Sequence, residues 1–396
     1  MLSERINAIQ PSPTLAVSAR AKAMRAAGQD VLSFDVGEPD FDTPQHIKDA
    51  CIKALENGDT KYTAAPGTPK LRAAIAAKLA RENGLDYTPE QIVVSCGGKH
   101  SLFNIFQSVI NPGDEVLIPA PYWVSYPDQV LLAEGTPVFL PTTQETGFRI
   151  SPAQLEEALK EHPKARAFVM NSPSNPTGAV YPPDDLRALC EVLDRYPDLL
   201  VITDEIYEHM VYPPNTQWSM AKFSPEFQQR CVIVQGVSKT YAMTGWRIGW
   251  TASTTELAKA MGKLQSQSTS NPTSFAQAGA VAALEGPIPT EMLETFRKRG
   301  GIMRELLQDV PGFEVPAPEG AFYLFPKVSG VFGKMVGKDR QINSAQDLTN
   351  YLLEEAGVAC VPGEGFGAPD HVRFSYAASL ENIKGGVKRI LRVLPE

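Results

Sequence analysis

Between residues 45 and 285, short apolar runs alternate with stretches of helical periodicity. The runs lie at Gln91 to Ser95, 115 to 118, Ala167 to Met170, Leu199 to Thr203 and Cys231 to Val234, and each closes on a cluster of turn formers or polar residues. Helical spacing covers 44 to 57, 69 to 83, the apolar stretch through Ile110, and 184 to 194. Strands that alternate with helices are covered on both faces, which predicts an α/β domain around a mostly parallel sheet. Such sheets place their chemistry on the loops that leave the strands.

The loop after Cys231-Val232-Ile233-Val234 is the most informative. It reads Gly236-Val237-Ser238-Lys239-Thr240-Tyr241-Ala242-Met243-Thr244-Gly245-Trp246-Arg247-Ile248-Gly249, with Lys239 leaving the sheet edge. A lysine enclosed by apolar groups and other cations loses proton affinity, and its free amine condenses with an aldehyde. Arg247, eight residues on, is within reach of an anion bound beside it, and the small residues let backbone and the Ser238 hydroxyl close in. Lysine for an aldehyde and arginine for a phosphate suggest pyridoxal 5′-phosphate.

This segment resembles the cofactor-lysine signature of the class I aminotransferases, and residues 11 to 385 carry further segments in the order of the bacterial subgroup Ib aspartate aminotransferases. The resemblance implies the type I pyridoxal-phosphate fold, with a large domain at 45–285 and a small α+β domain formed by 1–44 and 286–396. It also implies a homodimer with shared active sites and a ping-pong transfer of an amino group between amino acids and 2-oxo acids.

Other residues take their expected roles from sequence pattern and resemblance together. Cys96-Gly97-Gly98-Lys99-His100 opens a helix, where free backbone N–H groups and the dipole suit a phosphate, so Gly98 and the Lys99 backbone are assigned to it. Asp204 closes a strand and is expected to hold the pyridine nitrogen protonated, with Glu205 turned away by strand alternation. Tyr207 and Asn175, the latter in Asn175-Pro176-Thr177-Gly178, match the family's contacts to the cofactor phenolate. Trp123, in Ala120-Pro121-Tyr122-Trp123, matches the ring-stacking aromatic, with a core tryptophan as the alternative. Tyr62 matches a tyrosine that reaches the neighbouring subunit's phosphate. Arg373 matches the arginine that clamps the substrate α-carboxylate, a bidentate task for a planar fork. Gly37 is either backbone beside that carboxylate or a plain turn glycine. Where Gly236 stands, animal-type relatives have a hydroxyl, so backbone, Ser238 or water must replace one phosphate contact.

Substrate choice turns on the distal carboxylate. No arginine occurs between Arg247 and Arg297, although Ser270-Asn271-Pro272 is present. Lys99 and Thr14, the latter in a Pro-Ser-Pro-Thr segment, resemble the pair that serves in subgroup Ib. The expected substrates are aspartate and glutamate with their 2-oxo acids, and prephenate as an additional acceptor. A pyridoxal-phosphate lyase, or an aminotransferase for neutral or aromatic amino acids, is the alternative on the same fold. A nicotinamide dehydrogenase is disfavoured because no run is followed by a full Gly-x-Gly-x-x-Gly turn. A net charge of −8 without a basic block argues against nucleic acid. The N-terminal residues lack a signal pattern and five scattered cysteines lack metal spacing, so a cytoplasmic protein without membrane, metal or disulfide is expected.

Overall fold

A seven-stranded sheet organises the protein, a computed structural model of which describes residues 2–11, 13–337 and 339–394. Ser12, within the Pro-Ser-Pro-Thr segment, lies outside them. Across the sheet the strands run Ile92–Ser95, Gly249–Ala252, Cys231–Gly236, Leu200–Asp204, Ala165–Asn171, Glu115–Ala120 and Thr136–Pro141. Gly249–Ala252 is antiparallel to both its neighbours and all other pairs are parallel. The expected strands form with ends displaced by a few residues. Lys239 follows an interior strand, third in the order, and so leaves a strand's C-terminal end within the sheet.

Alternation along these strands sorts their side chains onto two faces. Val94, Leu117, Phe168, Met170, Val201 and Ile233 join one buried cluster. Their neighbours Val93, Val116, Ile118, Val169, Ile202, Val232 and Val234 join another, under helices Gly98–Val109 and Thr255–Ser266. Both faces being covered explains why the runs are continuously apolar.

A separate core gathers Phe34, Phe296, Met303, Leu307, Phe322, Leu348, Phe374 and Ile390. It packs helices Thr290–Gln308, Ala345–Ala356 and Leu380–Val393 beside a three-stranded antiparallel sheet of Val361–Pro362, Val372–Ser375 and Tyr323–Leu324. Strand Leu32–Ser33 pairs in parallel with Val358–Ala359, joining the two chain ends. Tyr207, Met210 and Tyr212 also enter this core, tying it to the loop that follows Asp204. Among the described residues no helix is long and apolar enough to cross a membrane.

Candidate active site

The strands ending at Ser95, Ala120, Asn171, Asp204 and Gly236 all point to one end of the sheet, and a cavity of about 260 Å³ opens there. Thr14, Gly37, Gly98, Lys99, Trp123, Asn175, Asp204, Tyr207, Ser238, Lys239, Arg247 and Arg373 all line it. Tyr62 does not; it is 92% exposed on the surface of this single chain.

Lys239 Nζ donates to the Gly37 carbonyl at 2.5 Å and lies 5.9 Å from the ring centres of both Tyr207 and Phe322. Removal from water brings its pKa down to about 8; Arg373 and Arg247 push the same way, against Glu38 and Asp204. A free amine in growing share as pH approaches and passes about 8 follows. Gly37 has no room for a side chain, because a Cβ there would stand 2.8 Å from the Tyr323 hydroxyl. Close approach, rather than a turn conformation, is what demands glycine.

Asp204 is 5% exposed, and burial raises its pKa to about 6 against the hydrogen bonds it accepts. Those come from Tyr126 Oη at 2.7 Å and the Ile206 N–H at 3.2 Å. A buried carboxylate with so few donors is suited to a cationic partner. Glu205 points elsewhere, accepting from Thr203 Oγ1 at 3.0 Å and Gln235 Nε2 at 3.0 Å.

Three glycines shape the opposite wall. A Cβ on Gly249 would lie 2.3 Å from Gly98 N, and one on Gly97 would lie 2.4 Å from Arg247 Nη2. Their absence of side chains lets the start of helix Gly98–Val109 stand against Arg247. Arg247 itself adopts φ 59°, a left-handed conformation that costs a non-glycine residue about 1 kcal/mol or more. Its guanidinium donates to the Thr244 and Cys96 carbonyls at 3.0 and 3.2 Å. Gly236 is hemmed in too: a Cβ would stand 3.0 Å from the Ile248 carbonyl, so a hydroxyl-bearing side chain has little space there.

Arg373, 2% exposed, donates Nη1 to Asn175 Oδ1 at 2.9 Å and Nη2 to the Asp35 carbonyl at 2.7 Å, while its buried Nε has no partner. Asn171 completes the frame by donating to the Asp204 carbonyl and accepting from Asn175 N, both at 2.9 Å. Lys99 Nζ sits 4.9 Å over the Trp123 ring, which Tyr126 meets edge-on. Burial and Arg247 lower the Lys99 pKa, against Asp128. The peptide bonds before Pro121, Pro173, Pro176 and Pro214 are cis.

The sequence reading missed Tyr126, Asn171 and Tyr323 as parts of the site. Tyr126 lies three residues after Trp123, and Asn171 four before Asn175. Nothing in one dimension marks that Tyr126 meets a carboxylate 78 positions away, or that Tyr323 Oη pairs with Tyr207 Oη at 2.8 Å.

Comparison with known proteins agrees over the whole length. The family model described as aminotransferase class I and II matches residues 29–390. An aspartate/prephenate aminotransferase of Nitrosomonas europaea is 48% identical over 99% of both chains. An aspartate aminotransferase of Geobacillus stearothermophilus is 47% identical over 99% of this chain and 98% of its own. Among solved structures, the aspartate aminotransferase of Rhizobium meliloti superposes with a TM-score of 0.95 at 44% identity, covering 99% of this chain and 98% of that one. That of Thermus thermophilus with maleate gives 0.91 at 41% identity over the full length of both.

Proposed function

The chain belongs to the class I and II aminotransferases, and we propose that it is a pyridoxal 5′-phosphate-dependent enzyme that exchanges amino groups between aspartate or glutamate and their 2-oxo acids. One observation carries the reading: a single cavity holds a lysine of depressed pKa, a buried carboxylate with few donors, and arginines 247 and 373. The residues fit the cofactor. Gly98, the Lys99 N–H, Ser238 and Arg247 would hold the phosphate in the glycine-lined cradle, which side chains would fill. Asp204 would pair with the ring nitrogen, Trp123 would face the ring, and Tyr207 and Asn175 would donate to its phenolic oxygen. The tight packing at Gly236 leaves the phosphate contact there to another group, and Ser238, which lines the cavity, is the hydroxyl assigned to it.

When bound, pyridoxal phosphate supplies an aldehyde for the amino group and a sink for the electrons of a broken Cα–H bond. The protein's residues do the rest. Arg373 binds the α-carboxylate, with Gly37 offering backbone beside it. Lys239 would accept the Cα proton as general base and return it to the carbon two atoms away, a task its pKa near 8 suits. Asp204 would keep its partner nitrogen positively charged, and the buried Tyr126 against it would help withhold water from that pair.

For a dicarboxylate the second carboxylate must meet a cation, and Lys99 is the cation in the cavity besides Lys239, Arg247 and Arg373 among the described residues. Thr14 lines the same cavity. The Thermus thermophilus relative, solved with the dicarboxylate maleate, supports this. Prephenate amination is proposed as a second activity, on the name of the Nitrosomonas europaea relative and the presence of Thr14 and Lys99 in the cavity. The two separate cores support dividing the chain at residues 45 and 285, and a homodimer in the cytoplasm completes the reading. The test is an acceptor panel of oxaloacetate, 2-oxoglutarate, prephenate, pyruvate and phenylpyruvate on wild type and Lys99→Ala. The variant is expected to lose at least tenfold more kcat/KM on the dicarboxylic acceptors than on the last two. An equal loss across the panel would return Lys99 to holding the cofactor alone.

A further inference from the structure

On the far side of the strand ends lies a second polar cluster that the proposed chemistry does not use. Lys78, 1% exposed, reaches Glu208, Asn83 Oδ1 at 2.8 Å and Gln235 Oε1 at 3.1 Å. Gln235, with no exposed surface, donates through Nε2 to Glu205 Oε2 and Glu208 Oε2, both at 3.0 Å. His209 then bridges Glu82 Oε2 at 3.1 Å to Thr240 Oγ1 at 3.1 Å.

The cluster is placed in step with the active site. Asp204, Tyr207 and Lys239 line the cavity, and the residue after each of them, Glu205, Glu208 and Thr240, joins the cluster instead. The two loops therefore carry paired residues, one for each side of the sheet end. Burying this much charge is weakly stabilising at best, since desolvation offsets the attraction, so stability alone is a poor reason for it. Geometry is a better one. Misplacing a reacting group by about 1 Å can cost on the order of 100-fold in rate.

We propose that Glu205, Gln235, Glu208 and the His209–Thr240 hydrogen bond are positioning residues, which fix where the Asp204 carboxylate and the Lys239 amine stand relative to each other. The proposal rests on the assignment of those two groups to the aminotransferase reaction. Thr240 is the sharpest handle, because its hydroxyl meets the cluster at one end and its backbone adjoins Lys239. Thr240→Val keeps the side chain's shape and removes the one bond. The groups that face this end of the cluster are Lys78, Glu82, Glu208 and His209, with Lys239 and Tyr241 on the loop itself.

The experiment uses holoenzyme of wild type, Thr240→Val, Thr240→Ser, His209→Leu and Lys239→Ala, and reads kcat, KM for aspartate, and the pH midpoint of the bound cofactor's absorption. Thr240→Val is expected to lower kcat at least tenfold with KM within about threefold, and to shift the midpoint by half a pH unit or more. Thr240→Ser should restore both readouts, and His209→Leu should reproduce the loss. His209→Leu also keeps the test open should Thr240→Val fold poorly. A folded Thr240→Val and His209→Leu with wild-type kcat and midpoint would overturn the positioning role while leaving the reaction assignment intact. Wild-type turnover and absorption in Lys239→Ala would overturn the assignment, and the positioning role with it.

Discussion

Asp204 concentrates the physics of single residues in this protein. Burial lifts its pKa to about 6, so the native state holds a proton between the ordinary aspartate value and 6 that the unfolded chain has released. Stability contributed by that proton is present at low pH and falls as pH rises through this window; above 6 the folded protein carries a buried carboxylate at a cost. Asp204→Asn removes the cost and keeps an oxygen to accept from Tyr126. Cofactor-free Asp204→Asn is therefore expected to be more stable than wild type at pH 8, on the order of 2 kcal/mol, with little difference at pH 4, as urea titrations at the two pH values would show. The same variant should lose at least 100-fold in kcat, because an amide cannot keep its partner nitrogen charged. An Asn variant less stable than wild type at pH 8 would contradict the account. Lys239 gives a companion expectation. Capture of pyridoxal phosphate by the cofactor-free protein should accelerate as pH rises through about 8, where the amine loses its proton, and a flat stopped-flow profile between pH 6 and 9 would contradict it. Lys239 and Asp204 could be picked out from sequence because each follows an apolar run at a strand end. Tyr126 could not, since its partner is fixed only by the order of strands.

At the scale of elements, the cradle depends on one helix start meeting one strand. Ser95 pairs with Gly249 in the antiparallel ladder, which brings the Gly97–Gly98 entry to helix Gly98–Val109 against Arg247. Gly249→Ala would drive its methyl into backbone at 2.3 Å, where nothing flexible can yield. Overpacking of this kind costs about 1–3 kcal/mol, and here the displacement falls on the N–H groups proposed to face the phosphate. The expected result is a loss of at least tenfold in pyridoxal phosphate affinity, read by fluorescence titration, beside that drop in stability; unchanged affinity would remove the helix start from the phosphate site. Five of the seven strands were readable as apolar runs, because covering both faces demands continuous apolar segments; Gly249–Ala252 and Thr136–Pro141 were not among them. The antiparallel placement of Gly249–Ala252 between two other strands was not readable, since hydrophobicity carries no direction. Nor did the sequence separate the requirements of its glycines: Gly37 and Gly249 are small for close approach, a property of partners distant in the chain.

The molecule as a whole leaves Tyr62 92% exposed and outside its own chain's cavity, which suits a residue expected to complete the site of a second copy. Sedimentation is expected to give twice the chain's 43.1 kDa, and Tyr62→Ala to weaken cofactor binding without unfolding the protein. A monomer with full activity would contradict the shared site. The central claim is amino-group transfer by a site that must be reloaded between halves of the cycle. Its most direct test is to mix holoenzyme at high concentration with L-aspartate in the absence of any 2-oxo acid and to count oxaloacetate. The account predicts a release of about one oxaloacetate per chain that then stops, and that resumes with matching glutamate formation when 2-oxoglutarate is added. Continuous product release without an acceptor, or no oxaloacetate at all, would contradict it.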